Sequence, residues 1–392
     1  VGITPGGESV EIKYGLISAD SHVVIDRDAY TRRMSADRWG DRIPQVVETT
    51  HNGARVDAWR VDGKLFSVGR GVVNCPAAMD DPAAHRYPQR WEEVPRRAFD
   101  PLERMEALDA DGVDAEVLFA NDPARSAFYQ FKDAAFELAC VQAYNDALAE
   151  WRQASERYIP LGVIPYLGDV AATVAEVERV AELGHRGIEI QADPSSAVKG
   201  VPHINDPYWY PLWDACQELE LPIHLHESGG LAGSMNFPRW SGYSAPAYHT
   251  TMTVPTCSFP AQFFPNLIFS GLADRFPRLK WVSAETGIGW VPYVLEGCDY
   301  EWERRHLWTE GLLTRPSDVF RRQIYVNFFF EVANVPLRHW IGIDNIMWES
   351  DYPHTASNFP HSREYVERAL HNVPADERTK MLFENAMRVY KL

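Results

Sequence analysis

Residues 169–192 read DVAATVAEVERVAELGHRGIEIQA. Val170, Val174, Val177 and Ala181 recur at the spacing of one helical face, and Gly184 supplies a helix stop. Three residues on, GIEIQA (187–192) is a short run of strand type. A helix feeding a strand through a short loop is one half of a parallel βαβ unit.

The alternation extends both ways. Strand-like runs are LISAD (16–20), AEVLFA (115–120), IPLGVIPY (159–166), GIEIQA, LPIHLH (221–226), LKWVSAE (279–285), QIYVNFF (323–329) and NIMWES (345–350). Helix-like stretches separate most of them: PLERMEALDADG, DAAFELACVQAYNDALAEWRQA, DVAATVAEVERVAELG and YWYPLWDACQELE. Eight strands alternating with helices predict an α/β fold, a closed (β/α)8 TIM barrel, as one domain over residues 1–392. Residues 40–95 break the pattern. HNGARVDAWRVDGKLFSVG holds an Asn-Gly and an Asp-Gly, which predicts a β-hairpin insertion after strand one. A Pro-, Asp- and Arg-rich loop (75–97) follows, either over the barrel mouth or as surface decoration.

The bulk composition narrows the partners. The 392 residues are 45% hydrophobic and 24% charged, enough for a large core, and the formal net charge is −17. Such an acidic surface repels phosphate backbones, which argues against nucleic acid. No apolar run reaches 18 residues, which argues against a membrane span. The opening VGITPGGESVEIKYG (1–15) lacks the pattern of a signal peptide and reads as a flexible arm. Cys75, Cys140, Cys216, Cys257 and Cys298 are spaced for neither zinc nor a disulfide scaffold, and reduced thiols in a cytoplasm are the simplest reading.

Chemistry gathers at the strand ends. Side chains two apart on a strand share a face, so Asp20 and His22 project together from strand one. Strand five ends His224-Leu-His226, with His226 nearer the mouth. Strand six closes on Glu285, and strand eight on Glu349-Ser-Asp351, with His354 three residues on. A carboxylate closing an apolar strand has to be paired or bound to a metal. Asp20, His22, His226, Glu285 and Asp351 are imidazoles and carboxylates at four strand ends, a donor set for a hard-to-borderline divalent ion. His224 and His354 stand in reserve, as supports or as ligands of a second ion. Trp290, Tyr293, Phe328, Phe329, Phe330 and Trp240 are candidates for an aromatic wall, and Arg239 for holding a carboxylate. Arg304 and His306 fit a subunit contact or a helix surface equally well.

At these residues the sequence resembles the amidohydrolase-related metal-dependent hydrolases, the group that includes aminocarboxymuconate-semialdehyde decarboxylase and γ-resorcylate decarboxylase. The matching stretches are ISADSHVV, RMEALDADGVDAEVLF, LPIHLHESGG, FPRLKWVSAETGIGWVPYVLEGCDYEW, IMWESDYPHTASNFP and ENAMRVYKL. The resemblance implies a (β/α)8 barrel with one divalent metal at its mouth, often zinc or manganese, and commonly a homodimer. It assigns Asp20 and His22 to the strand-one ligand pair, His226 to the strand-five histidine, and Asp351 to the aspartate that binds metal and moves protons. Two departures stand out. Glu285 occupies a position that is often histidine, and GIEIQADP offers no lysine to bridge two metals. The more anionic set suits manganese or iron better than zinc.

Two reactions follow from the resemblance, each on a small-molecule organic substrate with a carboxylate or carbonyl group. In hydrolysis, Asp351 is the general base for a metal-bound water. In non-oxidative decarboxylation, Asp351 hands a proton to the carbon that loses carbon dioxide. A non-haem iron monooxygenase with two irons is an alternative, because the carboxylate-rich set with its reserve histidines could seat a pair. A non-catalytic binding scaffold is a further alternative, against which stand ligand-type residues at four strand ends.

Overall fold

The computed structural model describes residues 10–226 and 241–392, apart from 70, 83, 84, 192, 245, 246, 248, 249, 252, 253 and 255–257. The barrel strands are β1 (Ile17–Val23), β5 (Ala115–Ala120), β6 (Tyr158–Val163), β7 (Gly187–Glu189), β8 (Ile223–His226), β9 (Trp281–Ala284), β10 (Ile324–Phe328) and β11 (Ile346–Trp348). They pair in chain order, all parallel, from β1 to β11. The ring closes through a parallel bridge from Ser21 to Tyr352, with His22 N–H donating to the Tyr352 carbonyl at 2.7 Å and Asp351 N–H to that of Asp20 at 2.9 Å. Most strands are shorter than the apolar runs that announce them. Pairing stops where neighbouring chains diverge into the mouth loops, so Glu285 and Asp351 lie just past β9 and β11.

Burial explains the apolar runs. Ile17, Ala19, Val117, Phe119, Ile159, Leu161, Val282, Ala284 and Met347 form a core inside the barrel. The alternate residues, such as Leu118, Ile188, Ile223 and Val326, pack outward on the helices. Both faces are dry, as parallel sheets require. The helices Pro101–Asp111, Ala134–Ala154 and Val170–Glu182 start on Asp100, Asp133 and Asp169, whose carboxylates accept N–H groups of the first turn. Among the described residues, no helix is long and apolar enough to cross a membrane.

The insertion is a three-stranded antiparallel sheet of β2 (Gln45–His51), β3 (Ala54–Val61) and β4 (Lys64–Phe66). Its turns are Asn52-Gly53 and Asp62-Gly63, all four residues at positive φ, as two-residue hairpins of matching twist demand. The sheet and the loop behind it are fastened to the mouth. Asn121 Nδ2 donates to the Asn74 carbonyl, Ala77 N–H to that of Pro353, and Ser67 to the Asp122 carboxylate.

One expectation is corrected. Residues 10–15 are not a flexible arm. The Asp114 carboxylate accepts the backbone N–H groups of Lys13, Tyr14, Gly15 and Leu16 at 2.6–2.9 Å, and Val10 is buried against the barrel floor. Four charge-assisted bonds on one carboxylate outweigh the weak local propensity of a polar segment.

Two buried histidines away from the mouth set an acid limit on stability. His185 makes no well-aligned ring hydrogen bond among the described residues, and burial pushes it down to about 3. His224 is likewise pushed down to about 3 by burial. Both stay neutral when folded and take up protons near 6.5 when unfolded. The unfolded chain therefore binds more protons between about pH 6.5 and pH 3, and stability falls as pH drops through that window. His185→Phe should shrink the loss between about pH 7.5 and about pH 4.5 by on the order of 1–3 kcal/mol. Urea midpoints at the two pH values check it; an unchanged difference counts against it.

Candidate metal centre

The five residues read from the strand ends meet. One ligand atom from each of Asp20, His22, His226, Glu285 and Asp351 lies within 4.8 Å of all the others, and all but Glu285 are buried. The imidazoles converge most tightly, Nε2 to Nε2 at 2.9 Å. Asp20 approaches His22 Nε2 at 3.5 Å and His226 Nε2 at 3.2 Å. Asp351 lies 3.4 Å from His22, and Glu285 lies 3.4 Å from His226.

Backbone irregularities aim these groups. Ser18 pairs with Glu116 and Ser21 with Leu118, so β1 carries one residue more than β5 across that step. This bulge lets both Ala19 and Asp20 face inward and brings His22 opposite the inward Phe119. Glu285 and Asp351 both sit at φ 54°, an uncommon region for residues with a Cβ that recurs where function constrains the chain. Glu285 is held by its N–H donating to Glu349 Oε2 at 3.0 Å, and Asp351 by its bond to Asp20.

Behind these five side chains lies a layer of support. His22 Nδ1 faces the Ala120 carbonyl at 3.0 Å, which leaves Nε2 bare toward the centre. His354 stacks on the His22 ring at 3.7 Å and sets Nδ1 3.1 Å from Asp351 Oδ1. Arg104 and Glu116 form a fully buried two-pronged ion pair, both contacts at 2.8 Å. The same guanidinium donates to the carbonyls of His22 and Tyr352, tying the ends of β1 and β11 together. Arg125 Nη2 lies 3.0 Å from His226 Nδ1.

The donor set fits a divalent cation. All four carboxylate oxygens of Asp20 and Asp351 are buried and, among the described residues, make no well-aligned hydrogen bond, with only imidazole nitrogens of His22, His226 and His354 at 3.1–3.5 Å. Burial, and then the charges of Glu349, Asp351 and Glu285, push Asp20 well above the usual carboxylate range. Burial pushes His22 and His226 well below the usual histidine range, so both are neutral and can offer a lone pair. Crowded carboxylates beside bare imidazoles are mutually repulsive alone and cohesive around a positive charge. No cysteine joins the group among the described residues.

The reserve residues separate. His224 bonds Tyr390 through Nε2 at 3.0 Å and the Ile188 carbonyl through Nδ1, so it is a core residue without a lone pair to offer. His354 is a support of Asp351. Trp290, Phe329 and Phe330 line a cleft of about 450 Å³ that reaches the centre at Glu285 and also includes Val254, Glu331 and Asn334. Glu331 braces this wall by accepting N–H groups of Ile288, Phe329 and Phe330. Gly287, at φ 65°, admits it, since a side chain there would strike the Glu331 carboxylate. Two wall candidates are corrected. Phe328 is wholly buried in the core, and Tyr293 is 82% exposed on the helix Val291–Arg304. Arg239 and Trp240 lie outside the described residues. Arg104, Glu116 and Arg125 are given no role in the sequence reading, because their partners lie on other segments of the chain, and Glu349 is noted there only as a carboxylate two before Asp351.

Known proteins agree with this architecture. A γ-resorcylate decarboxylase of Rhizobium radiobacter is 26% identical over 337 residues, 81% of this chain and 95% of that protein. An amidohydrolase of Mycobacterium avium subsp. paratuberculosis superposes with a TM-score of 0.74 at 18% identity, covering 96% of this chain and 98% of its own. A dihydroxybenzoic acid decarboxylase of Polaromonas sp. JS666, solved with manganese and 2-nitroresorcinol, superposes with a TM-score of 0.59 at 23% identity, over 81% of this chain and 93% of its own. Residues 68–392 match the family model for amidohydrolases, so the chain belongs to the amidohydrolase family.

Proposed function

We propose that this protein is a metal-dependent, non-oxidative decarboxylase of small aromatic carboxylates. The observation that carries the reading is the junction of the five-residue centre with the aromatic cleft at Glu285. The relative matched over nearly its whole length is named for decarboxylating an aromatic acid. Manganese is the ion we favour, from the carboxylate-rich donor set and from the ion held by the Polaromonas enzyme.

Asp20, His22, His226, Glu285 and Asp351 would hold the ion, which when bound supplies positive charge to a substrate carboxylate and a neighbouring oxygen. The chain's own residues do the rest. Trp290, Phe329 and Phe330 give a flat ring an apolar wall and limit water beside it. Asp351, oriented by His354 and by the strained backbone at its own α-carbon, transfers a proton to the ring carbon that bears the carboxylate. The carbon–carbon bond then breaks, carbon dioxide departs, and the bonding pair returns to the ring. A proton from solvent restores Asp351.

The test is direct. Protein stripped with a chelator and reloaded with manganese should release carbon dioxide from ortho-hydroxylated benzoic acids, and the stripped protein should lose that activity. Oxygen uptake coupled to turnover in protein loaded with iron, with no carbon dioxide from any such acid, would instead select the monooxygenase.

A further inference from the structure

Among the described residues, nearly every polar side chain that lines the aromatic cleft is already engaged. One Glu331 oxygen accepts the N–H of Ile288, and the other accepts those of Phe329 and Phe330. The Trp290 indole N–H donates to the Gly287 carbonyl at 3.0 Å, and the buried Thr286 hydroxyl lies 2.8 Å from that of Ser283. Glu285 belongs to the five-residue centre. Asn334 is the exception. It lines the cleft, and its carboxamide makes no hydrogen bond among the described residues. Its backbone is nonetheless fixed, because its carbonyl accepts the Leu337 N–H at 3.0 Å where the helical turn Val335–Leu337 begins.

The loop after β9 keeps this carboxamide uncovered. A Cβ added at Gly289 would lie 2.5 Å from Asn334 Nδ2. Unlike Gly287, Gly289 is not at positive φ, so the bar to a side chain there is Asn334 and not backbone strain. The loops after β9 and β10 therefore run side by side: Glu285 stands at the centre, Gly287 meets Glu331, and Gly289 meets Asn334. A ring whose carboxylate lies at the centre turns its opposite edge along these loops toward Asn334.

We propose that Asn334 is a specificity-determining residue that selects aromatic acids with a hydroxyl on the ring carbon opposite the carboxylate. The proposal rests on the decarboxylase reading above and narrows its substrate class. A carboxamide offers two N–H donors and a carbonyl acceptor, and a phenolic hydroxyl both donates and accepts, so each satisfies the other. A methyl group of similar size shuts water away from the carboxamide and returns no bond. The remaining walls, Trp290, Phe329 and Phe330, are apolar toward the ring and read its shape without telling the two substituents apart.

The probes are 4-hydroxybenzoate and 4-methylbenzoate, which lack the oxygen beside the carboxylate that the reaction needs and so stay intact. In calorimetry on the full chain loaded with Mn²⁺, the wild type should bind the hydroxy acid about tenfold more tightly. Asn334→Leu should reduce the ratio to about twofold or less. Gly289→Ala should do the same with Asn334 still present, because the added carbon pushes the carboxamide aside. A wild type that binds the two probes alike overturns the proposal, as does a preference that survives Asn334→Leu. Carbon dioxide release from 2,4-dihydroxybenzoate separates the two readings. If it occurs while the probes bind alike, the proposal alone falls. If no ortho-hydroxylated acid releases carbon dioxide, the decarboxylase reading falls and takes the proposal with it.

Discussion

Asp351→Asn should fold normally and release carbon dioxide about 10²–10⁴ times more slowly than the wild type, the usual worth of a positioned acid. Asparagine keeps the shape of the side chain and can still meet His354 Nδ1, now 3.1 Å from Asp351 Oδ1. It has no acidic proton to give the ring carbon. It also takes one negative charge from a centre whose crowding asks for a cation, so metal content has to be measured in the same preparations. The informative result is a variant that retains manganese, keeps its far-ultraviolet dichroism and does not turn over. A variant with full metal and full activity would remove Asp351 from the chemistry. A variant that loses manganese as well would place the residue among the ligands first.

Arg104→Met should cost about 3–5 kcal/mol of stability, the usual price of stranding one member of a buried ion pair. Arg104 and Glu116 are both fully buried, and the pair sits outside the barrel wall behind the centre. Removing the guanidinium leaves the Glu116 carboxylate without its partner. It also leaves the carbonyls of His22 and Tyr352 without the donor that ties β1 to β11. Urea unfolding should register the loss. The companion Arg104→Met/Glu116→Leu should recover much of it, since two apolar groups leave no charge stranded. Metal affinity separates packing from positioning. If the double variant regains stability yet binds manganese poorly, the guanidinium serves the strand ends that carry the ligands. A single variant as stable as the wild type would show that Glu116 finds another partner.

The five side chains that meet at the mouth stood out in the sequence because each lies at the end of an apolar run, where a charge has few reasons to sit. The Asn-Gly and Asp-Gly turns were legible because a two-residue hairpin admits few other pairs. The bulge in β1 was not. Asp20 and His22 share a face whether or not the strand is bulged, so their spacing reads correctly. Which face that is depends on the extra residue, and Ile17 with Ala19 already occupies the interior. Period two alone would have turned the pair toward the helices. The opening segment misled for a related reason. Its polar composition is that of a free arm, but its four N–H groups find Asp114, about a hundred residues away in sequence.

By itself, the order of residues determined the alternation of strand and helix, the hairpin insertion and the kind of atom standing at each strand end. These follow from periodicity and from the cost of burying charge, both of which act over a few neighbouring residues. Only the closed barrel decided which donors meet, which histidine keeps a bare nitrogen, and that Arg125 reaches His226 while Arg104 braces β1 against β11. Those outcomes depend on distances between segments far apart in the chain, and such distances exist only after the ring has shut.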